Sequence, residues 1–129
     1  MKKHLHIKKT DIPLYRGKLV IIITNDDDKL KKYLPDFKGI IYAHSWNTNV
    51  DSYTGVTGYT VVLNFNSPFR DVTLGTIVHE AFHIVNFIAA DRGIKSDFEN
   101  DEALSYLIEW VVEEIYSFIK KCNFEVAGL

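Results

Sequence analysis

An α+β fold, with a small mixed sheet of three or four strands packed on two long C-terminal helices, is predicted by a change of hydrophobic period midway along the chain. Up to about residue 65 the apolar residues come in short β-branched runs separated by turn residues; from Thr73 onward they recur at helical spacing. With 129 residues and 47% hydrophobic content, the chain holds one domain, residues 1–129, and a sizeable core.

Leu5 to Lys8 begins a strand, and Leu19 to Thr24 is a β-branched run bounded by Gly17 and by the polar cluster Asn25 to Asp28, as expected of a buried central strand. The aspartates cap a short helix over about residues 28–34, which Pro35 ends. Gly39 to Trp46 and Tyr59 to Phe65 read as two further strands, joined by the Asn-, Asp-, Ser-, Thr- and Gly-rich loop Asn47 to Gly58.

From Thr73 to Arg92 the apolar residues surround most of the circumference, which predicts a helix buried on nearly all sides. Asp71 or Thr73 is its N-cap, and Gly93 its left-handed C-terminal stop. Ser96 to Glu99 matches a capping box, so a second helix is expected from Asp97 to about Lys121, forming a hairpin with the first.

The formal net charge of -2 offers no basic excess to neutralise a phosphate backbone, so no nucleic-acid partner is expected. Lys2, Lys3, Lys8 and Lys9 read as a solvated flank. One cysteine, Cys122, cannot close an internal disulfide. No signal peptide and no membrane-spanning run is seen, which points to a cytoplasmic protein without a membrane partner.

The residues that carry chemistry are His79-Glu80-Ala81-Phe82-His83, a His-Glu-x-x-His motif inside the first long helix. At about 100° per residue, positions four apart lie one turn apart on one face, so both imidazoles reach one cation, zinc being the expected ion. Glu80, about 100° around from His79, is placed as a general base rather than a ligand. Thr76, His79, Glu80, His83 and Asn86 fall in one narrow polar arc. Unpaired buried polar groups cost about 1–3 kcal/mol each, and a metal with its surroundings would account for the arc.

A catalytic zinc takes three protein ligands. The metzincin continuation needs a glycine and a histidine where this chain has Asn86 and Ala89, and no histidine follows His83. The motif together with Asn100 to Ala103 resembles the gluzincin metallopeptidases, over roughly residues 70–115. The resemblance implies a zincin-like domain, a peptide or protein substrate, and Glu102, 19 positions after His83, as the third zinc ligand. A His-Glu-Ala-Phe-His motif with a later Glu-Ala-x-x-Tyr is also similar to small proteins of tailed-phage genomes, which implies a host-cytoplasmic setting.

Helix geometry leaves rivals to Glu102. At a rise of about 1.5 Å per residue Glu102 lies roughly 9 Å from the interhelical turn and His83 roughly 13 Å, so Tyr106 and Glu109 are nearer in level, and Glu99 is a further alternative. Glu102, Tyr106, Glu109 and Glu113 also form the stripe expected of a solvated face.

The expected reaction is hydrolysis of a peptide or amide bond, with Glu80 moving the proton of an activated water. Tyr59 to Phe65 resembles the edge strand on which such enzymes lay an extended substrate, and Tyr106 and His44 are candidates for stabilising the developing oxyanion or for ordinary packing. Larger gluzincins carry a C-terminal subdomain that walls the cleft; only about eight residues follow the second helix here, so a shallow cleft is expected, and with it the alternative of a zinc-containing interaction module that does not turn over.

Overall fold

The computed structural model describes residues 2–35, 43–47, 58–67, 70–95, 97 and 101–129. Four strands, β1 (Leu5–Asp11), β2 (Lys18–Thr24), β3 (Ala43–Asn47) and β4 (Gly58–Asn64), form one mixed sheet in the order β1-β2-β4-β3. β1 and β2 pair antiparallel, β2 and β4 parallel, and β3 and β4 antiparallel. Three helices, α1 (Asp27–Tyr33), α2 (Leu74–Arg92) and α3 (Glu102–Lys121), complete the described part.

Strand alternation assigns the two faces of the sheet. Leu19, Ile21 and Ile23 of β2 and Tyr59, Val61 and Leu63 of β4 point into the main core, where they meet Ile77, Ile84 and Ile88 of α2 and Val111, Ile115 and Ile119 of α3. Ile22 and Val62 point the other way, onto Leu30 of α1. A strand covered on both faces must be apolar at successive positions, which is why β2 reads as an unbroken run.

Local chemistry sets the helix ends. The Asp26 carboxylate accepts from the amides of Asp28 and Lys29 and starts α1. The Thr73 side chain accepts from the Thr76 amide while the Thr76 side chain answers the Thr73 amide, a reciprocal cap that fixes the start of α2. Gly93, at φ 67°, ends α2 in the left-handed conformation.

Three expectations are corrected. The segment Tyr59 to Phe65 is not an edge: β4 lies between β2 and β3, and among the described residues β3 is the outer strand. Pairing on both sides leaves every residue of β4 from Tyr59 to Asn64 buried, the polar Thr60 and Asn64 included. The second long helix starts at Glu102 rather than Asp97; its N-cap, Asp101, makes no side-chain capping bond, and Asp97 is irregular. Of the expected capping box, Ser96, Phe98 and Glu99 lie outside the described residues. Finally, α2 is buried along one side only. Leu74, Val78 and Phe82 are exposed, because the sheet and α3 cover two sectors of the helix and no described element covers the third.

Among the described residues no helix is long and apolar enough to cross a membrane.

Candidate metal centre

His79 and His83 occupy the uncovered sector of α2, where four residues of spacing stack them one turn apart. Their rings meet edge to face with centroids 4.8 Å apart, and their Nε2 atoms are 3.2 Å apart. Both nitrogens thus converge on one place. With zinc–nitrogen bonds of about 2.0–2.1 Å, nitrogens at that separation subtend about 100° at a shared centre, close to a tetrahedral angle. The separation of the pair is compatible with two ligands of one zinc ion.

Glu80 turns the other way around the helix and is buried. Its Oε1 accepts a hydrogen bond from Ser45 Oγ of β3 at 2.8 Å, and its Oε2 lies 3.8 Å from His79 Nε2. The Ser45 hydroxyl also lies 3.3 Å from the Glu80 carbonyl oxygen, so the outer strand and the helix are fastened at the carboxylate. One carboxylate oxygen is thereby fixed by the sheet while the other lies near the His79 imidazole.

Beside this constellation lies a cavity of about 410 Å³ bordered by Ala43, Arg70, Thr73, Thr76, His79 and Glu80. It brings a guanidinium-bearing residue and two caps of the helix to the same opening as the carboxylate. Ser45 and Arg70 are the two residues of this region that sequence reasoning passed over. Ser45 left a faint trace, being a small hydroxyl residue between His44 and Trp46, which strand alternation puts on the opposite face of the sheet; Arg70 left none.

The polar arc on α2 has a plainer explanation than burial. His79, His83 and Asn86 are exposed, so water satisfies them, and Thr76 is engaged in the helix cap. Glu80 is the member whose burial needs a partner, and Ser45 provides it.

The other expected site residues are placed elsewhere. Glu102, Tyr106, Glu109 and Glu113 all sit on the exposed side of α3, as the solvated-face reading has it. Glu102 is the first residue of that helix, and Glu99 lies outside the described residues. Among the described residues no three His, Cys, Asp or Glu side chains are gathered around one point, so the described structure brings two donors together and not the third. His44 is exposed on β3 and stacks on Trp46 with ring centroids 5.7 Å apart.

No family model, no curated protein and no solved structure matches this chain.

Proposed function

We propose that this protein is a zinc-dependent hydrolase of peptide or amide bonds, of gluzincin type, with His79 and His83 as metal ligands, Glu102 as the third ligand and Glu80 as the general base. The observation that carries the reading is the convergence of the two Nε2 atoms at 3.2 Å beside a buried, hydrogen-bonded carboxylate. A zinc ion held there supplies Lewis acidity, which makes water a better acid and polarises a carbonyl.

The protein groups divide the remaining work. Ser45 holds Oε1 of Glu80, and Oε2 accepts a proton from the attacking water and returns it to the leaving nitrogen as the C–N bond breaks. Because β3 is the outer strand of the sheet and Ser45 belongs to it, an extended peptide pairing along β3 would lie next to the Glu80 carboxylate. The substrate-binding strand is therefore β3 in this proposal.

A second reading, a zinc-containing interaction module, is favoured by one feature: Leu74, Val78 and Phe82 form an exposed apolar ridge next to His79 and His83. One variant separates the two readings. Glu80→Gln should keep one zinc per chain and lose hydrolysis of a peptide library by about 10²–10⁴-fold, while His79→Ala and His83→Ala should lose the zinc. A wild-type protein that holds zinc but cleaves nothing supports the module; one that holds no zinc at all removes both readings.

A further inference from the structure

A larger cavity, about 580 Å³, lies apart from the His79 site and shares no lining residue with it. It opens at the carboxyl ends of the parallel strands β2 and β4, where Asn25 and Phe65 follow the last paired residues. In sheets with parallel strands this end is where ligands collect, because the chain departs into loops and leaves a crevice. The volume falls in the range of small-molecule sites, roughly 300–1,000 Å³.

Four aromatic rings run in a continuous line along this cavity. His4 stacks on His6 at 5.3 Å, His6 meets Phe124 edge to face at 6.3 Å, and Phe124 stacks on Phe65 at 4.8 Å. Each of the four is only half-buried and contributes to the lining, so each keeps ring surface on the cavity. Lys2 and Lys121 border the same space against one acid, Glu125, which leaves the rim positive.

We propose that this cavity binds a small planar aromatic anion, its ring packed on the His6, Phe124 and Phe65 wall and its charge met by Lys2 and Lys121. The wall is mostly ring surface, with the polar nitrogens of His4 and His6 at one end, which favours flat rings over aliphatic acids. Burial first, then the charges of His4 and Lys29, hold the His6 imidazole below its ordinary value, so at neutral pH it stands in the wall as an uncharged ring. Burial also pushes the Cys122 thiol up, which keeps the cysteine at this cavity protonated at neutral pH.

The wall is assembled from distant parts of the chain, which gives it a defined shape. The Asn25 side chain accepts from the His4 amide at 2.6 Å and donates to the Lys2 carbonyl at 2.8 Å, pinning the N-terminal segment against the end of β2. The Phe124 amide bonds the Ile119 carbonyl at 3.1 Å, and Asn123, at φ 63°, turns the chain back after α3 so that Phe124 meets Phe65.

The test is an NMR titration of the full chain with AMP, adenosine, inorganic phosphate and 1-naphthoate, following the histidine ring signals and the backbone amides. AMP or naphthoate should shift His4, His6 and Phe124 and leave His79 and His83 in place. AMP should bind at least roughly tenfold more tightly than adenosine or phosphate alone, since it offers both the ring and the charge. Binding of AMP only marks the anion as a phosphate, binding of naphthoate only marks it as a carboxylate, and binding of both supports the site for either. Lys121→Gln should weaken the interaction roughly tenfold. Phe124→Leu, which keeps apolar bulk and removes the ring, should do the same with the amide spectrum otherwise unchanged. The proposal is overturned if neither aromatic anion binds, if phosphate matches AMP while Phe124→Leu has no effect, or if the shifts fall on His79 and His83.

Discussion

Ser45 Oγ reaches Oε1 of Glu80 at 2.8 Å and both residues are buried, so the carboxylate is held from the sheet side and presented from the helix side. Removing the hydroxyl leaves a buried acceptor without its partner, which costs about 1–3 kcal/mol. Ser45→Ala should lower stability by that amount in urea unfolding and, if Glu80 is the base, lower kcat with little change in KM or zinc content. Ser45→Thr, which keeps the oxygen, should recover much of both. Equal kcat in all three proteins would remove Ser45 from any role in positioning Glu80. A second residue gives a pH signature. The phenol of Tyr59, fully buried, donates to Asp91 Oδ2 at 2.6 Å, and burial first, then that bond, push its pKa well above the ordinary value near 10. Above about pH 10 the unfolded chain releases a proton that the folded chain retains, so this contribution to stability is complete below that pH and is lost as pH rises, by up to about 1.4 kcal/mol per pH unit. Tyr59→Phe should cost about 1 kcal/mol at neutral pH and flatten the alkaline decline; an unchanged decline would assign it to other groups.

At the scale of elements, α2 depends on its two ends because it carries the site. Thr73→Ala removes one half of a reciprocal cap and should cost about 1 kcal/mol. Gly93→Ala should cost about 1–2 kcal/mol, and the whole of it is backbone strain at φ 67°, since an added Cβ meets nothing within 4 Å. Thermal melts of both variants check this, and a neutral Gly93→Ala would mean that the left-handed stop is absent in solution. These ends were legible in the sequence because a cap is a local event: Asp26, Thr73 and Gly93 act within four residues of where they stand. The motif was legible for the same reason, since helical spacing alone stacks His79 on His83. What sequence could not supply is what depends on neighbours far along the chain. The order β1-β2-β4-β3 puts β4 inside the sheet, although nothing within Tyr59 to Phe65 distinguishes an inner strand from an outer one. Ser45 and Glu80 are 35 positions apart, and their hydrogen bond exists only once β3 is the outer strand beside α2. The exposure of Leu74, Val78 and Phe82 was hidden likewise, because an apolar circumference tells how much of a helix could be covered and not how many elements are present to cover it.

For the molecule as a whole, the question is whether a metal ties its parts together. His79 and His83 belong to the same helix, so an ion bound by them alone bridges residues one turn apart and constrains the unfolded chain little. A third donor on α3 would change that, because the ion would then join two helices that already share Ile84, Ile88, Val111 and Ile115 in one core. Binding linked to folding in this way adds about 2.7 kcal/mol when free zinc is at 100 times its dissociation constant. For a chain of 129 residues that corresponds to a rise in Tm of roughly 10 °C. Zinc should therefore raise the melting temperature by about this amount, and a chelator should return it to the metal-free value. Either His79→Ala or His83→Ala should abolish the shift. The third donor is then named by subtraction: Glu102→Gln should remove most of the shift if Glu102 closes the site, while Glu109→Gln should leave it intact. A wild-type shift that survives substitution of both glutamates would exclude them as the third donor and leave Glu99 as the next candidate, and no shift at all, with zinc absent from the purified chain, would leave His79 and His83 as two surface imidazoles that merely share a hydrogen bond.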